Sequence, residues 1–99
     1  MTPLQLPTDY QIMSYNDNGW HPKSWQIQGS NEETENKNWE TIDEQIDCPI
    51  LNGVNNTHIF PIRPNSIAYR YIRMKQTGKN WHNNNYLVLD SFELYGKII

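Results

Sequence analysis

Apolar and polar side chains alternate most clearly over residues 23–28, where Trp25 and Ile27 are separated by serine and glutamine. This period of two is typical of a half-buried β-strand. Pro22 precedes the stretch, and proline suits a strand entrance because it cannot donate a backbone hydrogen bond. Gly29 and the turn-forming residues after it end the pattern. We therefore predict a strand here, with Trp25 and Ile27 on its core face.

Five other short stretches have the same character, and none shows the 3.6-residue stripe of an amphipathic helix. Tyr10 and Ile12 share one face of the first stretch, and Ile72 and Met74 share one face of the fifth. The pattern predicts an all-β fold, an antiparallel β-sandwich or jelly roll of about six strands. The predicted strands are residues 9–14, 23–28, 39–43, 57–62, 68–76 and 86–96.

The last stretch contains a change of phase. Leu87 and Leu89 are at odd positions, whereas Phe92 and Leu94 are at even positions. One face of a strand can hold all four only if a residue is inserted between the two pairs. We therefore predict a β-bulge near residues 90 and 91.

The third and fifth stretches each contain a residue that breaks a simple pattern. Trp39 and Ile42 differ in parity, so we expect their strand to be irregular or to lie at a sheet edge. Arg70 has the parity of Ile72 and Met74, which places a guanidinium at the rim of the core. Because an unpaired buried charge is very costly, we assign Arg70 a structural role with carboxylate or carbonyl partners.

Consecutive antiparallel strands place every second connection at the same end of the domain. We therefore expect the loops at residues 16–21, 44–56 and 77–85 to share one pole, and the connectors at 32–37 and 63–67 to share the other. The first pole would carry two tryptophans and two histidines, with a third histidine close by: Trp20, His21, His58, Trp81 and His82.

Charge and composition exclude several classes of function. The formal net charge is -3, and an acidic segment at residues 32–47 is balanced by a basic one at 63–79. We expect the two to neutralise each other within the fold, and the modest net charge argues against nucleic-acid binding.

Cys48 is the single cysteine, so an internal disulfide is excluded. Because small secreted domains are commonly stapled by disulfides, a single cysteine favours a cytoplasmic or other intracellular location, unless the gene encodes a signal peptide. No run approaches the roughly 18 apolar residues of a transmembrane segment.

The sequence offers little for catalysis or metal binding. The spacing of the three histidines and Cys48 matches no standard zinc pattern. No serine nucleophile elbow or phosphate-binding glycine loop is present. We predict a domain that is not an enzyme and has no cofactor and no metal.

Four motifs follow one another in a characteristic order. Residues 22–32 read Pro-Lys-Ser-Trp-Gln-Ile-Gln-Gly-Ser-Asn-Glu, and Asn-Trp-Glu follows at 38–40. Residues 69–74 read Tyr-Arg-Tyr-Ile-Arg-Met, and 92–96 read Phe-Glu-Leu-Tyr-Gly. The series resembles factor V/VIII type C, or discoidin-like, domains. The segments Gln-Thr-Gly-Lys-Asn at 76–80 and Asn-Asn-Tyr-Leu-Val-Leu at 84–89 are most similar to the intracellular branch that accompanies BTB/POZ or kelch-type modules.

The resemblance implies a galactose-binding-like jelly roll, with residues 1–99 as a single domain. These residues match the C-terminal two-thirds of a family domain of about 150 residues. The family's opening strands have no counterpart, so we expect an N-terminally truncated domain whose missing strands the full-length chain supplies. Without them an exposed sheet edge would be open to pairing. Ligands in this family generally meet loops at one pole, and the loops before Lys23 and after Gln76 correspond to two of them.

These considerations predict a binding site at the first pole. Tryptophan can stack on a sugar or fill a partner pocket, and asparagine and histidine donate and accept hydrogen bonds. The alternative for the same residues is turn chemistry and packing beneath the loops. The candidate ligand-binding residues are Asn16, Asp17, Asn18, Trp20, His21, Asn80, Trp81, His82 and Asn83. The predicted structural residues are Trp25, Ile27, Trp39, Arg70, Ile72, Leu87, Leu89 and Phe92.

We expect a non-catalytic recognition module that binds a protein partner within a multidomain intracellular protein. Glycan binding through the same pole is the alternative. Membrane-lipid binding by the loop tips is less favoured, because the tips lack an exposed Leu/Phe pair ringed by lysine and arginine.

Overall fold

The computed structural model describes residues 4–15, 20–32, 38–63 and 67–98, and the regular elements within them are strands. The six strands are β1 (Gln5–Ser14), β2 (Trp25–Ser30), β3 (Glu40–Gln45), β4 (Thr57–Pro61), β5 (Tyr71–Gln76) and β6 (Leu89–Ile98). They form two antiparallel three-stranded sheets, in the orders β4-β1-β6 and β3-β2-β5. Every predicted strand is present with shifted ends, and the all-β sandwich is confirmed.

The core lies between the two central strands, β1 and β2. Tyr10 and Ile12 of β1, with Trp25 and Ile27 of β2, are completely buried. Phe60 of β4 joins them, stacked on the Tyr10 ring at 5.0 Å and edge-on to Trp25 at 5.4 Å. Each aromatic pair of this kind contributes about 0.5–1.5 kcal/mol beyond its buried area. The alternation that predicts the second strand therefore also identifies its buried face.

A chain of hydrogen bonds joins the two sheets through this core. The indole N–H of Trp25 donates to the Tyr10 hydroxyl at 3.0 Å, and that hydroxyl donates to the carboxylate of Asp43 on β3. The side-chain amide of Gln45 donates to the same carboxylate oxygen at 3.3 Å. Burial, reinforced by the hydrogen bond to Asp43, raises the pKa of the Tyr10 hydroxyl above its usual range, because a phenolate there would lack water and face a carboxylate.

The β-bulge predicted in the last strand is confirmed. Met13 lies opposite Ser91 and Ser14 lies opposite Leu89, so Asp90 is an extra residue with no partner on β1. The insertion lets Leu89 pack partly against the core together with Phe92 and Leu94. A second irregularity lies near the other end of the β1–β6 pairing, where a Cβ at Gly96 would collide with the backbone of Leu6 and Pro7.

The third strand is both irregular and at a sheet edge, as its pattern predicts. Ile27 lies opposite Asp43 and Gln28 lies opposite Thr41, so Ile42 is inserted. Trp39, predicted inside this strand, instead precedes β3 and is half-buried. Its ring lies 4.1 Å from the Arg73 guanidinium and does not belong to the core cluster. The physical reason is that regular pairing with β2 ends at Glu40.

Leu87, predicted as a structural residue of the last strand, is 41% exposed and lies before β6. The loop that precedes it is held by side-chain hydrogen bonds. Asn80 donates to the backbone carbonyl of Tyr86 at 3.0 Å, and the Tyr86 N–H donates to the Asn84 side chain at 3.1 Å. These bonds keep the chain out of the sheet, and pairing with β1 starts only at Leu89. The prediction for Leu87 is therefore wrong.

The two long sides of the sandwich differ. On the side of β3 and β4, which we call the closed side, the connection between these strands buries Cys48 and Leu51, and Ile62 is buried after β4. On the side of β5 and β6, which we call the open side, the inward side chains of Ile72 and Leu94 are only half-buried. A groove of about 570 Å³ lies along the open side.

Candidate functional site

Three segments of the described chain meet at one end of the sandwich and form what we call the loop pole: residues 20–24, 46–56 and 77–88. The backbone N–H of Trp81 donates to the carbonyl of His21 at 3.1 Å, and that of Cys48 donates to the carbonyl of Lys23 at 2.8 Å. The indole N–H of Trp81 donates to the Cys48 carbonyl at 3.3 Å. The predicted convergence of three loops is thus confirmed for the described residues.

Asn80 organises the third segment of the loop pole. Its amide group donates to the Asn84 side chain at 2.7 Å, and its side-chain oxygen accepts the backbone N–H groups of His82 at 2.9 Å and Asn84 at 3.2 Å. The side chain is 2% exposed. A buried amide with its hydrogen bonds satisfied stabilises a loop. This corrects the predicted ligand contact at Asn80, because its polar atoms are used within the loop.

His21 needs the same correction. Its side chain is 3% exposed and the neighbouring Pro22 is completely buried. Residue 21 enters the loop pole through its backbone carbonyl, which accepts the N–H of Trp81. A buried ring cannot touch a ligand on the surface of this structure, so His21 belongs to the support of the loops.

The exposed centre of the loop pole is a pair of stacked aromatic rings. Trp20 and Tyr86 lie with their ring centroids 4.8 Å apart and their planes at 25°. Trp20 is 39% exposed and Tyr86 is 60% exposed. Sequence reasoning selects Trp20 and misses Tyr86, because the pattern assigns Tyr86 to the start of the last strand. Stacking fixes both rings while leaving a broad aromatic surface to solvent.

Trp81 is half-buried beside this pair and has a polar neighbour on its face. The ammonium of Lys23 lies 4.8 Å from the ring centroid and 3.8 Å from the carboxylate of Asp47. Both charged side chains are substantially exposed, so this ion pair contributes little to stability. His82 and Asn83 are exposed next to Trp81, and Asn83 has a φ of 59°, a left-handed conformation that asparagine tolerates.

Aliphatic side chains complete the loop pole, and sequence reasoning does not select them. Ile46 is 69% exposed, and Ile50 and Val54 on the same connection are also exposed. Leu87 adds a further exposed apolar side chain from the third segment. The available signal is the presence of large apolar residues inside a segment that proline, glycine and asparagine mark as a loop.

Several predicted features lie outside this description or do not come together. Asn16, Asp17 and Asn18 lie outside the described residues. His58 is on β4, with its ring against Phe60. Over the ranges that the structure describes, no group of three or more histidine, cysteine or acidic side chains is arranged to hold a metal ion. The same ranges contain no helix long and apolar enough to cross a membrane.

At the opposite pole, described residues that flank the predicted connectors are joined by hydrogen bonds. The Asn31 side chain donates to the carbonyl of Ala68 at 2.9 Å and accepts the N–H of Arg70 at 2.8 Å. The Tyr69 hydroxyl donates to Glu40 at 2.8 Å, and burial together with this bond raises the pKa of Tyr69 to about 12. These hydrogen bonds join polar groups at this pole, whereas most of the large exposed apolar side chains named above lie at the loop pole.

Comparison with known proteins gives one informative similarity. The chain is 30% identical, over 99 residues, to the E3 ubiquitin-protein ligase Ufd4 of Drosophila melanogaster. The match covers 95% of this chain and 4% of the ligase, so the chain spans a small part of the relative's length. No protein-family model and no solved structure matches the chain.

Proposed function

We propose that this chain is a non-catalytic, discoidin-like module that recognises a protein partner through its loop pole. The observation that carries the proposal is the concentration of exposed apolar side chains there. Trp20 and Tyr86 stack on each other, and Ile46, Ile50 and Val54 are exposed on another of the three segments of the loop pole. Exposed apolar side chains that are concentrated at one end of a small domain indicate an interaction site.

The composition of the loop pole suits a protein interface. Aromatic residues are enriched in the centres of protein interfaces and dominate their binding energy, whereas charged residues are depleted there. Lys23 and Asp47 are already paired with each other at 3.8 Å. The aromatic pair would therefore enter a pocket on the partner, and the aliphatic side chains would exclude water around it.

The loops are also fixed before binding. Trp81 is bonded to two other segments through its backbone and indole N–H groups, and Asn80 holds the turn that carries His82 and Asn83. Binding to a pre-organised surface avoids the entropy that a mobile loop would lose. This supports recognition by rigid loops on a β-sandwich, the usual placement of binding residues on such scaffolds.

The similarity to Ufd4 supports a protein partner and an intracellular multidomain setting. In that ligase the matched segment is 4% of the length, so the ligase activity cannot be assigned to this segment. We propose that the corresponding domain here recruits a partner while other parts of a larger protein act on it. This accounts for a domain that binds and does not catalyse.

Glycan binding is the second candidate. It rests on the exposed ring of Trp20 at the same pole as the exposed polar side chains of His82 and Asn83, since an aromatic face and hydrogen-bonding groups together can hold a sugar. Ile46, Ile50 and Val54 count against it, because they offer a sugar hydroxyl no hydrogen bond. Lipid binding is less favoured, since Lys23, whose ammonium lies over the Trp81 ring, is paired with Asp47.

The decisive experiment compares partner capture by matched surface variants. The immobilised chain, Trp20→Ala, Ile50→Ser and a control, Ile59→Ser, would each be exposed to extract from the cells that express the protein. Ile59 is an exposed isoleucine on β4, away from the loop pole. We expect specific proteins to be retained by the parent chain and the control and lost from both loop-pole variants.

A glycan array and vesicles of anionic phospholipid, tested with the same four proteins, examine the alternatives. Sugar binding that Trp20→Ala abolishes and Ile50→Ser leaves intact would overturn the protein-partner proposal in favour of the glycan candidate. Capture that is equal for all four proteins would show that the loop pole is not the interaction surface.

A further inference from the structure

The connection between β3 and β4 contains an asparagine followed by a glycine, Asn52 and Gly53. Asn52 is exposed and Gly53 is half-buried. In the described part of the chain the side-chain amide of Asn52 makes no hydrogen bond. The neighbouring Asn56, by contrast, donates from its side-chain amide to the carbonyl of Ile50 at 3.3 Å. The Asn52 side chain is therefore free to rotate toward the backbone nitrogen that follows it.

Glycine at position 53 makes that nitrogen accessible. A backbone nitrogen can attack the side-chain carbonyl carbon of the asparagine before it, and a side chain on the attacking residue obstructs the approach. Gly53 has no Cβ and offers no such obstruction. Its N–H donates to the carbonyl of Leu51 at 3.0 Å, across a turn of only three residues. A short turn in an exposed connection opens locally at little cost, which releases the nitrogen for attack.

We infer that Asn52 is a modification site, at which the asparagine converts spontaneously to isoaspartate and loosens the β3–β4 connection. The Gly53 nitrogen forms a bond to Cγ of Asn52 and loses its proton, and the side-chain amide nitrogen leaves as ammonia. Water then adds to a carbonyl of the resulting succinimide ring and breaks its bond to the ring nitrogen. When the backbone carbonyl is the one attacked, the main chain continues through the former side chain. Nothing is oxidised or reduced, and water is the co-reactant.

The contacts of Gly53 explain why this change would loosen the connection. Its carbonyl accepts the hydroxyl of Ser14, and the same hydroxyl accepts the N–H of Asn56 at 2.8 Å. A Cβ at Gly53 would lie 2.5 Å from the side-chain nitrogen of Asn56, so the turn is closely packed here. Isoaspartate adds a main-chain carbon immediately before Gly53 and displaces these contacts. The completely buried Leu51 lies just before the added atom.

The product also changes the charge of the loop pole. The new carboxylate lies between Ile50 and Val54 in the chain, whose side chains are 42% and 47% exposed. Charged residues are depleted in the centres of protein interfaces, so the converted chain should bind a partner more weakly. This consequence rests on the proposed function, whereas the conversion itself does not.

The test follows the purified 99-residue chain during incubation at mildly alkaline pH. Mass spectrometry of tryptic fragments measures conversion at each asparagine, and methylation by an isoaspartyl methyltransferase measures the isoaspartate. We expect Asn52 to convert about tenfold faster than Asn55 and Asn83, two exposed asparagines that are followed by asparagine. Cleavage after Lys23 separates the other asparagine–glycine pair, at residues 18 and 19, from this fragment.

Two variants separate the added carbon from the added charge. Asn52→Gln replaces an exposed residue and should prevent conversion at this position. Asn52→Asp introduces the carboxylate without lengthening the main chain. We expect hydrogen exchange over residues 50–56 to become about tenfold faster in the incubated parent chain and to remain unchanged in both variants after the same incubation. Partner capture should fall for the incubated parent and for Asn52→Asp, since both carry the charge, and should persist for Asn52→Gln.

Three results would overturn the inference. One is conversion at Asn52 no faster than at Asn55 and Asn83. Another is conversion without faster exchange over residues 50–56, which would show that isoaspartate fits the connection. The third is equally fast exchange in Asn52→Asp, which would assign the effect to charge. If conversion and exchange follow expectation while capture is unchanged, the modification site is supported and the loop pole is not the interaction surface.

Discussion

On the closed side of the sandwich the chain itself covers the core, whereas on the open side two strands with similar apolar residues remain partly in contact with solvent. Leu51 and Ile62 are buried on the closed side, and Ile72 and Leu94 are half-buried on the open side. All four are apolar residues of similar size, although the sequence pattern assigns Leu51 to a loop and the other three to strands. What differs is the connecting chain, because the β3–β4 connection supplies Leu51 and Cys48 to cover the closed side.

The two sides differ in how much of their apolar surface stabilises the fold and how much remains in contact with solvent. Burial stabilises by about 25 cal/mol for each Å² of apolar surface removed from water. Leu51 and Ile62 on the closed side obtain nearly all of this contribution from intramolecular packing. Ile72 and Leu94 on the open side obtain only part of it, because both side chains remain half-buried.

Matched leucine substitutions give the largest expected contrast between the two sides. Leu51→Ala should lower the free energy of unfolding by about 3 kcal/mol, because it leaves a cavity in a fully buried site. Leu94→Ala removes the same atoms from a half-buried site and should cost about 1 kcal/mol. Urea denaturation of both variants measures this, and equal losses would show that the two sides are equally packed.

The hydroxyl of Tyr10 ties the closed side together and gives the next largest effect. Tyr10→Phe leaves the Trp25 indole N–H and the Asp43 carboxylate without this partner. An unsatisfied buried polar group costs about 1–3 kcal/mol, so we expect a loss of about 2 kcal/mol at pH 7. Tyr86→Phe, at an exposed ring of the loop pole, is the control and should change the free energy of unfolding by less than about 0.5 kcal/mol.

The same pair of variants gives a pH test. The Tyr10 hydroxyl keeps its proton in the folded state at a pH where the unfolded chain, with a usual pKa of about 10, has lost it. The unfolded state then binds fewer protons, so stability is intact below pH 10 and falls above it, by about 1.4 kcal/mol per pH unit for one such hydroxyl. Tyr69, with its pKa raised to about 12, adds to the fall between pH 10 and 12. Tyr10→Phe should make this fall less steep, whereas a slope identical to that of Tyr86→Phe would contradict the buried hydroxyl's contribution.

The alternation of apolar and polar residues predicts features that are determined within a single strand. Trp25 and Ile27 lie on one face of β2, and Asp90 forms a β-bulge in β6. Both features follow from the period of two and from the requirement that apolar side chains share a face. The meeting of the loops at one pole follows from antiparallel order. These features need no knowledge of which side chain touches which.

The errors arise where a contact between distant residues decides the outcome. Asn80 is typical of an exposed loop by composition, yet it is buried because four groups within its own loop bond to it. Trp39 is predicted to be a structural residue inside the third strand, but it precedes that strand and its ring lies against the Arg73 guanidinium. Tyr86 becomes a candidate binding residue only because its loop places the ring against Trp20, and Ile50 only because its side chain is exposed. Periodicity contains none of this information.

Ser14 anchors the connection that covers the closed side, and its loss should have a smaller effect. Its buried hydroxyl donates to the carbonyl of Gly53 and accepts the N–H of Asn56 at 2.8 Å. Ser14→Ala should therefore cost about 1.5 kcal/mol and accelerate hydrogen exchange in residues 50–56. Ser91→Ala, on β6 of the open side, provides the matched change. If the two variants exchange alike over residues 50–56, the hydroxyl of Ser14 does not hold this connection.

Arg73 helps to hold the edge strand β5 in its sheet although the inner face of β5 is only half-buried. Its substitution gives the smallest expected loss of stability. Its Nε–H donates to Gln28 at 2.8 Å and its guanidinium lies over Trp39, so the outer face fastens this edge strand to β2 and to the start of β3. Arg73→Lys keeps the charge but loses the planar contact, and should lower the free energy of unfolding by about 0.5–1 kcal/mol. Lys75→Arg, the opposite exchange one step along the same face, should change it by less than about 0.5 kcal/mol. Equal melting temperatures for Arg73→Lys and the parent chain would mean that the packing of the half-buried Ile72 and Met74 is sufficient to hold β5 in the sheet. The contacts on the outer face of β5 would then not be needed to stabilise the open side.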